Sequence, residues 1–291
     1  MARKSISRRS FLKRFIYSFF GLFGVGGGTY YYAKHIEPSL INVKREKIVS
    51  PKIPQAFDGF NILLFGDTHL GFHYTLDQLN DLITEINSQK PDLVLFTGDL
   101  VDDPRQLSMQ EYETCIRILS NINAPFGKYW VYGNHDHGGY GTETIKKVME
   151  LSQFRLLMNE STQIVKDDTT FNLAGLDDVM LGRPSLDQTL SNVDTDKFTV
   201  LMCHEPDFAD LTKAFPVDVQ FSGHSHGGQI QIPFIGYVVT PPFAEKYVEG
   251  NYTIGNNPLQ LFVTRGIGTT RLPYRFLCKP EINLFTLHRD G

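Results

Sequence analysis

Short apolar runs alternate with stretches of helical periodicity along most of the chain. Asn61–Phe65 (NILLF), Leu93–Phe96 and Thr199–Met202 lack polar alternation, which predicts strands covered on both faces. Runs at 129–132 and 217–221 read the same way. Apolar residues at 76, 79, 82, 83 and 86 form one face of a helix, and 109–119 and 142–151 predict two more. Beyond residue 151 the pattern turns to strands. Segments 162–165 and 171–174 flank Asp167-Asp168-Thr169-Thr170 as a hairpin. Segments 229–232 and 261–263 extend the series, and 281–287 alternates. Residues 34–58, with Pro38, Pro51 and Pro54, form a connector in which 44–49 predicts an edge strand.

Five of these strands stop at turns that contain Asp, Asn or His: Gly66-Asp67-Thr68-His69, Thr97-Gly98-Asp99, Gly133-Asn134-His135-Asp136, Cys203-His204 and Ser222-Gly223-His224-Ser225-His226. Ligands of open α/β sheets lie beyond the carboxyl ends of the strands, so the five turns are expected to meet in one crevice. A single Asp at a strand end is an ordinary turn residue; the recurrence with histidine is what changes the reading. Asp67, His69, Asp99, Asn134, His135, His204, His224 and His226 together offer carboxylate, amide and imidazole atoms. These suit borderline divalent ions, and they exceed what one ion needs. A shared carboxylate would hold two ions about 3.5–4 Å apart. Glycines 66, 98, 133 and 223 permit the tight turns this demands.

The 291 residues suffice for one large domain and a tail. With 41% hydrophobic and 21% charged residues the body is globular and not disordered. The net charge of −4 includes six basic groups and no acid in the first 33 residues, so the remainder is more acidic still. That makes the body a poor candidate for a nucleic-acid-binding surface, which needs clustered Lys and Arg. Three cysteines, Cys115, Cys203 and Cys278, form no C-x-x-C pair and no complete disulfide set; Cys203, in an apolar run, is expected to be a buried thiol.

Residues 15–33 carry no charge and follow a basic head, the pattern of an export signal or membrane anchor. Nineteen residues are just enough to cross a bilayer, which needs about 20. Ser7-Arg8-Arg9-Ser10-Phe11-Leu12-Lys13 resembles the twin-arginine export motif. The expected division is 1–33 signal or possible membrane anchor, 34–58 connector and 59–291 the domain that carries the five turns.

The blocks G-D-x-H (66–69), G-D-x-x-D (98–102), G-N-H-D (133–136), His204 and G-H-x-H (223–226) resemble, in order, the signature of calcineurin-like metallophosphoesterases. The head, the stretches 133–141 (GNHDHGGYG) and 223–231 (GHSHGGQIQ), and the tail 270–277 (TRLPYRFL) are similar to exported, cell-wall-associated members of that family. The resemblance implies an α/β fold, a four-layer α/β/β/α sandwich of two mixed β-sheets flanked by helices. It implies a first ion (Mn, Fe or Zn) on Asp67, His69 and His226, a second on Asn134, His204 and His224, and Asp99 bridging both. A hydroxide shared by the ions would attack a phosphomono- or phosphodiester. His135 would serve the leaving oxygen or the charged transition state, with Asp102 orienting it through its other N–H. Asp136 is expected to be structural.

Phosphoprotein phosphatases of this superfamily continue the second block with D-R-G. Here Asp103 and Pro104 follow Asp102, which turns the expectation from phosphoproteins toward small-molecule, lipid or nucleotide-type esters. An alternative is a lipid-directed pyrophosphatase resembling the enzymes that split UDP-2,3-diacylglucosamine. Another, of a different class, is a non-catalytic wall- or membrane-binding metalloprotein. Expected partners are an envelope-derived phosphate ester, the twin-arginine translocase, and the membrane or cell wall. Arg265, Arg271 and Arg275 are candidates for phosphate contact or for a solvated face, and the aromatic-rich 234–243 stretch for core or rim.

Overall fold

The computed structural model describes residues 8–137, 141–255 and 258–290. Residues 1–7 of the basic head and 138–140 of the glycine-rich stretch lie outside the described residues. Two six-stranded mixed sheets make up the body. The first runs β1 (Asn42–Ser50), β14 (Glu281–Arg289), β2 (Asn61–Phe65), β3 (Leu93–Phe96), β4 (Lys128–Trp130) and β5 (Phe154–Leu156). The second runs β12 (Gly250–Ile254), β13 (Leu259–Val263), β9 (Val219–Ser222), β8 (Thr199–Met202), β7 (Thr169–Gly175) and β6 (Glu160–Lys166). A separate two-stranded ribbon joins β10 (Gln231–Ile232) to β11 (Gly236–Tyr237).

Each predicted apolar run became a strand because its side chains are covered on both faces. Leu63, Phe65, Val94 and Phe96 face a core shared with helices α2 (Leu76–Ser88), α3 (Met109–Ser120) and α4 (Thr142–Leu151). The alternate residues Ile62, Leu64, Leu93 and Leu95 face the second sheet, packing with Phe171, Val200, Met202 and Phe221. Each fully buried side chain of this size contributes about 1.5–3 kcal/mol by leaving water. The far side of the second sheet is covered more thinly, by single-turn helices α5 (Leu186–Thr189) and α6 (Ala209–Thr212) over Leu201, Leu261 and Val263. The layers are thus the α/β/β/α order expected.

Local signals set the helix starts. Thr75 and Gln78 form a reciprocal capping box at α2, and Ser108 and Glu111 form another at α3, each satisfying two backbone N–H groups. Strands β2, β3, β4 and β5 are parallel, as are β7, β8, β9 and β13. The carboxyl ends of β2, β3 and β4 therefore open toward those of β8 and β9. The connector's edge strand is β1, paired in parallel with β14 along nine positions.

The uncharged N-terminal run is helical, α1 (Arg8–Tyr31). Among the described residues no helix is long and apolar enough to cross a membrane. Gly24, Gly26, Gly27 and Gly28, with Tyr30 and Tyr31, dilute the apolar character of α1. All three cysteines are free and buried.

Candidate metal centre

Tight backbone conformations bring the turns together. Asp67, His69, Asp99, His224 and His226 all have φ between 44° and 67°, a left-handed region that costs about 1–2 kcal/mol for a residue with a Cβ. Such strain persists where surrounding structure enforces it, often at functional sites. Main-chain bonds lock the turns: Asp67 N–H donates to the Gly98 carbonyl at 2.9 Å, His69 N–H to that of Asp99 at 3.1 Å, and Gly223 N–H to that of His204 at 3.0 Å. Across the two sheets, His224 N–H donates to Asp67 Oδ1 at 2.9 Å. Gly133 packs so closely that a Cβ there would collide with Asp99 and with the His204 ring.

Three groups of ligand atoms result, one of them His69, Asp102 and His135, and the other two are made up of metal candidates. Asp67, His69 and His226 offer ligand atoms within 4.8 Å of one another, as do Asp99, His204 and His224. Asp99 Oδ2 joins the clusters, 3.4 Å from His69 Nε2 and 3.3 Å from His204 Nε2. Asn134 lines the same cavity with its Oδ1 buried and unpartnered. All seven metal candidates therefore surround one volume, with Asp99 between the halves.

The chemistry of the donor set fits divalent cations. His204 Nδ1 faces the Thr97 carbonyl at 2.6 Å and His224 Nε2 faces that of Pro242 at 2.9 Å. A carbonyl only accepts, so each of these nitrogens carries the hydrogen and the opposite nitrogen presents a lone pair. His69 Nδ1 donates to Asp102 Oδ1 at 3.0 Å, leaving its Nε2 free to ligate. The freed nitrogens face one another: His69 Nε2 and His226 Nε2 at 3.0 Å, His204 Nε2 and His224 Nδ1 at 3.2 Å. Lone pairs aimed together repel unless a proton or cation sits among them. Asp67 Oδ2 and His226 Nδ1 are also buried without a partner, although buried polar atoms are ordinarily satisfied.

Electrostatics of the metal-free cluster point the same way. Burial alone would raise Asp99, but the His204, His135 and His69 imidazoles hold it well below the usual carboxylate range. Burial opposes a charge on His204, yet Asp99 and Asp67 push its pKa well above 6.5. Burial raises Asp67. His224 is pushed down to about 3 by burial and by His204, and burial with His69 lowers His226. The buried carboxylates thus favour positive charge where the imidazoles converge.

The catalytic candidates need one correction. Asp102 was expected to orient His135 through its carboxylate. His135 Nδ1–H instead donates to the Asp102 backbone carbonyl at 2.7 Å, with the carboxylate oxygen at 3.7 Å. The carboxylate serves His69 and accepts from Thr270 Oγ1 at 3.2 Å. A carboxylate behind a ligating imidazole fixes its orientation and raises its basicity. His135 lines the cavity, and its N–H donates to Asp99 Oδ1 at 2.8 Å. Burial disfavours its charged form, but Asp99 and the Asp102 carbonyl raise its pKa overall. Asp136 accepts from Asp99 N–H at 2.6 Å, Leu100 N–H at 2.9 Å and Gly133 N–H at 3.1 Å. It ties the β3 and β4 turns together.

The three arginines separate. Arg275 is fully buried and donates to the carbonyls of Gly268, Cys278 and Arg265, so it is neither a phosphate contact nor solvated. Arg265 pairs with Glu249 at 2.6 Å. Arg271 alone of the three reaches the cavity. Glu37, not anticipated from the sequence, is buried and accepts from Leu277 and Cys278 N–H, tying the N-terminal segment to the loop that holds Arg275.

Strand-end turns of two facing mixed sheets, with an aspartate placed between paired imidazole clusters, fit the dinuclear metallophosphoesterase class. Residues 60–228 match the family described as calcineurin-like phosphoesterase, and the chain belongs to it. It is a metal-dependent phosphoester hydrolase. The metallophosphoesterase YkuE of Bacillus subtilis is 46% identical over 289 residues, covering 98% of each chain. The phosphodiesterase YaeI of Escherichia coli is 28% identical over 97% of this chain and 99% of its own. The UDP-2,3-diacylglucosamine pyrophosphatase LpxG of Chlamydia trachomatis is 25% identical over 88% of this chain and 92% of its own.

Proposed function

We propose that this chain hydrolyses phosphodiesters or phosphomonoesters outside the cytoplasmic membrane, reaching that location by the twin-arginine route. The observation that carries the chemistry is the pair of ligand clusters joined through Asp99 Oδ2. Asp67, His69 and His226 would hold one divalent ion (Mn, Fe or Zn), and Asn134, His204 and His224 the other. Such ions acidify a water and neutralise charge on phosphate oxygens. The remaining tasks fall to the protein. Asp102 and the Thr97 and Pro242 carbonyls fix the ligating tautomers. His135, anchored at both N–H and Nδ1, presents its Nε2 side to the cavity as proton donor to the leaving oxygen or as stabiliser of developing charge.

Bis-p-nitrophenyl phosphate should be cleaved when Mn²⁺ is supplied, and Asp99→Ala should remove that activity. Equal inactivity of both proteins across Mn²⁺, Fe²⁺ and Zn²⁺ would refute the hydrolase reading. The SRR motif supports export; Arg8→Lys with Arg9→Lys should strand the protein in the cytoplasm, and unaltered fractionation would exclude the route.

A second reading, a lipid-directed pyrophosphatase, is favoured by the cavity wall. The cavity of about 400 Å³ runs from Asp99 and His135 to Ile232, Val238, Val239 and Leu272. The LpxG relative, a UDP-2,3-diacylglucosamine pyrophosphatase, agrees with it. Turnover of UDP-2,3-diacylglucosamine against a water-soluble diester separates the two.

A further inference from the structure

The β10–β11 ribbon belongs to neither large sheet. From Gly227 to Ala244 the chain has no charged residue, although charged residues make up 21% of the whole. Phe234 at the tip is fully exposed, and Ile235 is 73% exposed. Ile232, Tyr237, Val238 and Val239 are exposed behind them. Apolar residues occupy both faces of the ribbon, so it lacks the in–out alternation of a strand packed on a core. Contiguous exposed apolar surface of this kind marks an interaction site.

Two features indicate what covers it. First, Ile232, Val238 and Val239 also line the metal cavity, so the ribbon forms the wall at its mouth. Second, the N-terminal segment joins the same corner. Tyr30 at the end of α1 stacks on Tyr274 with ring centroids 5.6 Å apart, and Arg275 N–H donates to the Ala33 carbonyl. Phe276 in turn pairs with Gln229 and Gln231 at the base of the ribbon. Phe11, Leu12, Val25, Tyr30 and Tyr31 are exposed on that helix, and its leading end carries Arg8, Arg9 and Lys13. Arg271 and Leu272 are exposed at the cavity mouth between the two elements. Apolar tips with tyrosines and cations, and no acid within the ribbon, complement an anionic lipid interface.

We propose that the β10–β11 ribbon inserts Phe234 and Ile235 into a lipid bilayer, setting the mouth of the metal cavity against the membrane surface. Docking is independent of catalysis, so it is read without turnover. The full chain carrying Phe234→Trp is mixed with vesicles of phosphatidylglycerol and phosphatidylethanolamine with brominated acyl chains. Trp130, the one native tryptophan, is buried and serves as an internal unquenched reference. The introduced indole should shift to shorter wavelength and be quenched by at least half. Phe234→Glu with Ile235→Glu should weaken vesicle partitioning at least tenfold while leaving bis-p-nitrophenyl phosphate turnover unchanged, since neither residue lines the cavity. An unquenched indole on vesicle-bound protein overturns the proposal, because α1 alone would then hold the chain. A blue shift that grows with protein concentration without vesicles assigns the ribbon to a second copy and also overturns it.

Discussion

At the strand ends, polar atoms are buried, strained and aimed at one another; at the β10–β11 ribbon a few residues further along, apolar side chains are exposed and touch little. The first region is over-determined. Five left-handed residues, Asp136 with three N–H donors, and paired imidazoles all serve one volume. The second presents its apolar side chains to solvent. The contrast teaches that mutual burial fixes donor atoms at the strand ends, whereas the ribbon stands apart from both large sheets.

Among changes that leave the candidate metal ligands in place, the largest effect should come from His135, the proposed proton donor at the rigid site. His135→Ala is expected to lower kcat by about 10²–10⁴ with metal content unchanged, checked by steady-state kinetics alongside metal analysis; loss of metal would make His135 a ligand. Next is the frame between the two regions. Arg275→Ala leaves several carbonyls unsatisfied and should destabilise the fold by about 3 kcal/mol, read by urea unfolding. Asp102→Ala should weaken metal binding about 10–100-fold while the His135 backbone anchor is retained, measured by competition with a chelating dye.

The pH dependence of metal loading sharpens the same comparison. His204 has a pKa raised well above 6.5, so it holds a proton at neutral pH in the metal-free chain. A cation must displace that proton. Affinity should therefore rise with pH, by up to about tenfold per unit while His204 remains protonated, with proton release visible by calorimetry in buffers of different ionisation enthalpy. A flat profile would deny His204 that role. The smallest effect belongs to the exposed region: Ile235→Ser should change folding stability by less than about 0.5 kcal/mol, since its side chain is largely exposed.

The rigid region was the more legible in sequence. β2, β3 and β8 read directly as buried apolar runs, and their Gly-Asp or His endings marked the candidate ligands that the fold brings together. The positioning of Asp102 was hidden because its choice of His69 over His135 depends on a three-dimensional approach between residues 33 positions apart. Arg275 misled because an arginine in sequence suggests solvent or phosphate, and only the fold shows carbonyls around it. Strand β5 escaped notice, being three residues long with Arg155 at its centre. Segment 229–232 had the pattern of one more sheet strand, yet it became the start of the separate ribbon. Periodicity reports that apolar residues are present, not whether the chain has anything to cover them with.

The central claim is that Asp99 joins two ions in one site, and the direct test is metal content per chain of the purified protein after Mn²⁺ loading, wild type beside Asp99→Ala. The account predicts two equivalents in the wild type and fewer than two tightly held in the variant. A wild type that saturates at one equivalent, or a variant that retains two with undiminished affinity, would contradict it.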